Sequence, residues 1–236
     1  MSKIYNIFTT TISLTARLIL FVMGWNRLSD KMSKRMNSVQ RGVLIFSHTS
    51  YIDGLIFFLY MLADLGDKYT IKTLVKPQLC QQFPIIESWG GIPATKREDK
   101  NGGSVERICE ALSKESKFMF MICPKGTVQY APWRSGWYYI ANKLKCELRA
   151  VGLDYVNKNV YVSKVVTSKS NNIDKLQRRL YYKLSKIVPL YPEKEVMKIR
   201  FHTQRPTVVD WAHLSNCLCL TMLTSLLIYN YGYLTF

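Results

Sequence analysis

The chain contains 236 residues, of which 48% are apolar and 21% are charged. This apolar content is enough to bury a core, and it excludes disorder as the main state of the chain. Lys and Arg number 33 against 16 Asp and Glu, which gives a formal net charge of +17. A positive field of this strength indicates an anionic partner, and composition leaves nucleic acid, an anionic membrane and a phosphorylated substrate open.

The N-terminal segment is strongly apolar. Residues 4–25 carry one interior charge, Arg17, and reach the length of about 20 residues that spans a bilayer. No pattern of small residues for signal cleavage follows, which argues against a secretory signal. We expect a membrane-associated helix, with a buried terminal helix as the alternative. The basic stretch 27–41 that follows suits anionic lipid headgroups, and it also fits a solvated helix face.

The middle of the chain alternates short apolar runs with helical patterns. Strands separated by helices predict an α/β fold, in which a mostly parallel sheet is flanked by helices. The predicted strands are 43–46, 70–75, 118–122 and 148–155, and the predicted helices are 52–63, 104–113, 133–145 and 175–187.

The C-terminal segment 211–236 contains no Asp, Glu, Lys or Arg. Its Tyr229, Tyr231 and Tyr233 resemble an interfacial aromatic belt, so we expect a second membrane helix, with a buried terminal helix as the alternative. The predicted organisation is therefore a membrane-associated helical segment at 1–41, a central α/β domain at 42–205 and a hydrophobic tail at 206–236.

The six cysteines are scattered and form no C-x-x-C pair, and no His lies at zinc-ligand spacing from any of them. The sequence therefore predicts neither a disulfide framework nor a metal site, and it is typical of a reducing compartment.

The first motif with a chemical interpretation follows the predicted strand 43–46. His48 comes just after the strand, and Asp53 lies about one turn inside the predicted helix. Loops after parallel strands are where α/β folds place their ligand sites. A carboxylate bonded to one imidazole nitrogen leaves the other nitrogen as a general base. The sequence from Ser50 to Asp53 also matches a helix capping box, which would give Asp53 a structural role only.

Three further motifs follow in order. They read WGGIPATK at 89–96, MICPKGT at 121–127 and LRAVGLDY at 148–155, and WRSGWYYIA at 133–141 follows the second of them. With HTSYID at 48–53, this order resembles that of the glycerolipid acyltransferase family, which includes glycerol-3-phosphate and lysophosphatidate acyltransferases. The corresponding family patterns are H-x-x-x-x-D, G-G-I-P-V-D-R, F-x-P-E-G-T-R and a hydrophobic fourth block.

The resemblance covers about residues 42–155 and implies the fold of the glycerol-3-phosphate acyltransferases. It also implies that His48 removes a proton from an acceptor hydroxyl while Asp53 orients the imidazole. The acceptor would be a lysophospholipid such as lysophosphatidic acid. Acyl-coenzyme A or an acyl carrier protein would be the thioester co-substrate, with no further cofactor.

The resemblance also implies a cationic site for the acceptor phosphate. The second motif brings Lys96 to the family's Arg position, and Arg97 follows it. In the third motif Lys125 stands where the family has Glu, and Val128 stands where it has Arg. Lys125, Gly126 and Thr127 are the phosphate contacts expected there, because a turn can offer backbone N–H groups to an anion.

Two other classes of protein compete with a membrane-bound acyltransferase. The departures at Lys125 and Val128 leave open a family member without activity that binds lipid at the membrane. A nucleic-acid-binding module would explain the charge, but it would leave the apolar ends and the ordered motifs without a role. We expect a membrane location, a phospholipid membrane as partner and no nucleic acid.

Overall fold

In a computed structural model of the protein, the structure describes residues 2–64, 70–94, 103–166 and 172–196. Lys96, Arg97 and the predicted hydrophobic tail at 206–236 lie outside these residues. The strands are β1 (Arg41–Phe46), β2 (Thr70–Val75), β3 (Gly91–Pro93), β4 (Phe118–Ile122), β5 (Glu147–Asp154) and β6 (Asn159–Val162). The helices are α1 (Ser2–Val22), α2 (Asp30–Asn37), α3 (Tyr51–Asp64), α4 (Pro77–Gln82), α5 (Ile85–Ser88), α6 (Ser104–Ser113), α7 (Gly136–Lys143) and α8 (Ile173–Leu184).

The strands form one sheet in the order β3-β2-β4-β1-β5-β6. β1 lies between β4 and β5 and pairs with both in parallel, and β6 is antiparallel to β5. The prediction of an α/β fold with a mostly parallel sheet flanked by helices is therefore confirmed. Because the carboxyl ends of parallel strands meet at one edge, the turns after β1, β4 and β5 lie side by side.

The core explains why the short apolar runs form central strands. Val43 and Ile45 of β1 are fully buried, as are Phe118 and Phe120 of β4. Burying one such side chain contributes roughly 1.5–3 kcal/mol. Central strands covered on both faces read as continuous apolar runs, which is the pattern of 43–46 and 118–122. The whole side chain of Trp137 on α7 is buried against this layer.

The strands and helices predicted for the middle of the chain, between residues 43 and 187, are all present, with small shifts at their ends. The predicted helix 133–145 begins only at Gly136, because the Arg134 N–H donates to the Pro124 carbonyl and ties residues 133–135 to the turn after β4. The short β3 and β6 were not predicted. β3 has three residues and β6 has four, too few to establish a period.

The N-terminal helix α1 packs along α3 by one face and leaves the other exposed. Ala16 and Leu20 are buried, and the guanidinium of Arg17 donates to the Ala63 carbonyl at 2.8 Å at the end of α3. The exposed residues of the opposite face are Leu14, Leu18, Phe21 and Val22. Within the described part of the chain, no helix combines the length and the hydropathy needed to cross a membrane.

Candidate active site

The turn between β1 and α3 places His48 and Asp53 in contact range. Nδ1 of His48 lies 3.4 Å from Oδ2 of Asp53, and the imidazole is 22% exposed while the carboxylate is buried. The pair is slightly longer than a hydrogen bond, a separation that commonly shortens when substrate binds. Because Nδ1 is directed at the carboxylate, Nε2 is the nitrogen available to a substrate hydroxyl.

Asp53 is held from several directions. Its Oδ2 accepts the backbone N–H groups of Thr49 at 2.7 Å and of Ser50 at 2.8 Å. The hydroxyl of Ser50 accepts the N–H of Ile52 at 3.2 Å instead of that of Asp53, so half of a capping box is formed. The carboxylate thus stabilises the start of α3 and faces His48 at the same time. The structural and the chemical interpretations of Asp53 are compatible.

Tyr155, just after β5, also binds the carboxylate. Its hydroxyl donates to Oδ1 of Asp53 at 2.5 Å, and its ring packs edge-on against Trp25 at 5.1 Å. Burial, followed by the charge of Asp53, raises the pKa of Tyr155 well above its usual range, so the phenol stays a donor. In the sequence, Tyr155 is the last residue of the fourth motif, and no local pattern predicts a role for it. The parallel pairing of β1 with β5, which brings it to Asp53, is not visible in any local pattern.

The turn after β4 carries Gly126 and Thr127. Gly126 has a φ of 66°, and its N–H donates to the Cys123 carbonyl at 3.0 Å, so this N–H is occupied within the turn. The hydroxyl of Thr127 accepts the N–H of Gln129 at 3.2 Å. The exposed guanidinium of Arg134 lies beside the turn, 3.9 Å from the place where a Cβ on Gly126 would stand. Arg134 was not predicted as a site residue, although Val128 leaves the turn without the guanidinium that the family pattern has there.

Lys125 does not face solvent. Its side chain is 1% exposed, its Nζ donates to the Lys194 carbonyl at 2.8 Å, and it lies 3.9 Å from Oε1 of Glu195. Burial raises the pKa of Glu195, and the charge of Lys125 opposes that shift. The prediction that Lys125 contacts the acceptor phosphate stays a prediction, and the observed partners of its ammonium are protein groups.

The structure describes the second motif as far as Ala94, and the predicted phosphate contacts Lys96 and Arg97 lie outside the described residues. Gly90 is required for steric reasons, because its φ is 95° and a Cβ there would lie 2.1 Å from the carbonyl oxygen of Ile71. The ring of Trp89 stacks on Phe58 of α3 at 5.2 Å. These contacts attach the second motif to the sheet and to the helix that carries Asp53.

The described residues contain no group of three or more His, Cys, Asp and Glu side chains that would hold a metal ion. Cys123 stands in the turn beside Lys125, and burial raises the pKa of its thiol. A thiol with a raised pKa is a poor nucleophile at neutral pH. The described residues at this edge of the sheet thus bring a partly exposed imidazole next to a fixed, buried carboxylate.

An acyltransferase family model matches residues 29–154, which is more than half of the chain. The protein belongs to the acyltransferase family. The match runs from the start of α2 to the end of β5 and includes His48, Asp53 and the turn after β4. No curated protein matches the chain. The prediction of an acyltransferase is confirmed at this level, and the family supports acyl transfer as the general reaction.

Proposed function

We propose that the protein transfers a fatty acyl group from a thioester donor to a hydroxyl of a lysophospholipid such as lysophosphatidic acid. The observation that carries the proposal is the buried Asp53 carboxylate within 3.4 Å of a partly exposed His48, in a chain of the acyltransferase family. This geometry suits a base that acts directly on the acceptor.

In the proposed reaction Nε2 of His48 takes the proton of the acceptor hydroxyl. The hydroxyl oxygen attacks the thioester carbonyl, a new ester bond forms, and the carbon–sulfur bond breaks. The thiolate of coenzyme A or of an acyl carrier protein leaves and receives the proton from the imidazolium. Asp53 compensates the transient positive charge on the ring. General-base assistance of this kind contributes roughly 10²–10⁴-fold in rate.

For the acceptor phosphate we propose contacts from the turn after β4 and from the second motif. The exposed Arg134 offers a planar guanidinium beside Gly126, and a guanidinium can bind a phosphate in a bidentate way. Lys96 and Arg97 follow β3, whose carboxyl end lies at the same edge of the sheet as that of β2.

Membrane association is part of the proposal and is supported by the exposed apolar face of α1. Phe21 is 77% exposed and Leu18 is 61% exposed, one turn apart on the helix. Arg27, Lys31 and Lys34 are exposed just beyond it, and each can contribute about 1 kcal/mol against an anionic surface. We expect Leu18→Glu with Phe21→Glu to reduce co-sedimentation with phosphatidylglycerol vesicles at least tenfold. Equal sedimentation of this variant and the wild type would contradict an α1 contact.

The reaction is tested with purified full-length protein in lipid vesicles, with labelled acyl-coenzyme A as donor. The acceptors are glycerol-3-phosphate and a panel of lysophospholipids, and His48→Ala is the control variant. Transfer to a lysophospholipid that is lost in His48→Ala supports the proposal. Full activity of His48→Ala would reject the role of His48. Lipid binding without transfer by the wild type would favour a family member without activity.

A further inference from the structure

The last described segment, 188–195, passes across the candidate active site and bonds to the elements that carry it. The carbonyl of Val188 accepts the N–H of Tyr155 at 2.9 Å. The N–H of Tyr191 donates to the hydroxyl of Thr49 at 3.3 Å. Near its end, the carboxylate of Glu195 accepts the hydroxyl of Ser47. Segment 188–195 therefore contacts the residues on both sides of His48 and the residue that binds Asp53.

The anchor at the end of segment 188–195 is a buried ion pair. The side chains of Lys125 and Glu195 are each 1% exposed, and the ammonium also donates to the Lys194 carbonyl. Among the described residues, Oε2 of Glu195 has no hydrogen-bond partner. Removal of one member of a buried pair leaves the other charge without compensation, so each member depends strongly on the other.

We propose that Lys125 and Glu195 are positioning residues of the active site. Their ion pair fixes segment 188–195, and this segment holds Ser47 and Thr49 so that the imidazole of His48 keeps its alignment with Asp53. Lys125 stands where the family that the sequence resembles has Glu, so this turn carries a positive charge in place of a negative one. Here the carboxylate comes from Glu195, which lies far along the chain. The inference rests on the proposed function only for its activity readout.

The first test is Glu195→Gln, with Glu193→Gln as the matched control, because Glu193 is an exposed carboxylate of the same segment. The amide keeps the shape and can still accept from Ser47, but it leaves the Lys125 ammonium without a counter-charge. Hydrogen exchange of the backbone amides of 46–53 is measured without substrate, and kcat and KM are measured for acyl transfer in vesicles.

Glu195→Gln is expected to accelerate exchange in 46–53 and to lower kcat roughly ten- to hundredfold, because small displacements of catalytic groups have effects of that size. KM for the thioester donor should change far less. Glu193→Gln should match the wild type in both measurements. Exchange and kcat in Glu195→Gln equal to those of Glu193→Gln would overturn the proposal.

The second test separates positioning from direct phosphate binding by Lys125. Lys125→Met leaves a buried carboxylate unpaired, and Lys125→Met with Glu195→Gln removes both charges. We expect the double variant to recover part of the kcat and exchange protection that Lys125→Met loses, because interacting residues give non-additive effects. If Lys125 instead binds phosphate, Lys125→Met will raise KM for the phosphorylated acceptor and leave exchange unchanged, which would overturn the proposal.

If a single variant fails to fold, the exchange and kcat of the double variant can still be measured, because the double variant leaves no uncompensated buried charge. The exchange measurement needs no substrate. If the wild type transfers no acyl group, the proposed function fails, while faster exchange in Glu195→Gln than in Glu193→Gln still supports the positioning role.

Discussion

The turns after β1 and β4 are neighbours in the sheet, and their charged residues are stabilised in opposite ways. In the turn after β1, Asp53 accepts N–H groups from Thr49 and Ser50, four and three residues away respectively. In the turn after β4, Lys125 finds its carboxylate in Glu195, on a segment distant in sequence. The first turn keeps the family's residue types, and the second reverses a charge and relies on a long-range partner.

This difference shows which part of the site a local motif determines. A strand end and the first turn of a helix bring His48 and Asp53 into contact range, and the proposed role of segment 188–195 is to keep the two side chains aligned. The environment of Lys125 exists only when segment 188–195 is in place. Substitutions in the first turn should therefore affect chemistry most, and substitutions in the second should affect stability and alignment.

The largest effect is expected for the first turn. His48→Ala removes the proposed base and should lower kcat by roughly 10²–10⁴-fold, while the free energy of unfolding changes little because the imidazole is partly exposed. The measurement is acyl transfer from acyl-coenzyme A together with thermal unfolding. A variant that unfolds at much lower temperature would show that His48 has a structural role that its contacts do not reveal.

The turn after β4 is tested by placing at position 125 the Glu of the family that the sequence resembles. Lys125→Glu would place two carboxylates together in a buried site and should lower the free energy of unfolding by about 3–5 kcal/mol. Lys114→Glu is the matched control, because it makes the same charge change at an exposed position, where effects stay within about 0.5 kcal/mol. Urea unfolding of both variants measures the difference. Equal free energies of unfolding for Lys125→Glu and Lys114→Glu would mean that the Lys125–Glu195 ion pair does not stabilise the fold.

The same contrast explains how much the sequence could predict. The strands 70–75 and 118–122 and the helix 104–113 agree with β2, β4 and α6, because their periodicity is local. His48 and Asp53 were selected for the same reason. Tyr155 and Glu195 were missed as site residues, because parallel strand pairing and the path of segment 188–195 bring them to the site. Lys125 was selected as a phosphate contact, since nothing nearby in the sequence reveals its burial or its pairing with Glu195.

Tyr155 is distant in sequence from the turn after β1, but its hydroxyl donates to Asp53, whose carboxylate binds that turn. Tyr155→Phe removes a donor to a buried carboxylate and should lower the free energy of unfolding by roughly 1.5–3 kcal/mol, the usual value of a hydrogen bond to a charged group. We expect kcat to fall about tenfold, because poorer alignment of His48 and Asp53 should raise the activation free energy by about 1.4 kcal/mol.

The control for Tyr155→Phe is Tyr60→Phe. Tyr60 also packs on Trp25, and its hydroxyl donates to the neutral carbonyl of Asn26, away from Asp53. Tyr60→Phe should reduce stability by only about 0.5–1.5 kcal/mol and leave kcat unchanged. Equal losses of kcat in the two variants would show that general loosening around Trp25, and not the bond to Asp53, determines activity.

The smallest effect is expected at the surface of the second turn, where Arg134 is exposed beside Gly126. If its guanidinium replaces the one that Val128 lacks, Arg134→Gln should raise KM for a phosphorylated acceptor about three- to tenfold, because an exposed charge contact is worth about 1 kcal/mol. KM for a monoacylglycerol, which has no phosphate, should stay unchanged. Arg107→Gln, an exposed guanidinium on α6, is the control for the loss of net charge. The same rise in KM for both acceptors, or in both variants, would indicate a general effect of charge and assign phosphate recognition to another part of the chain.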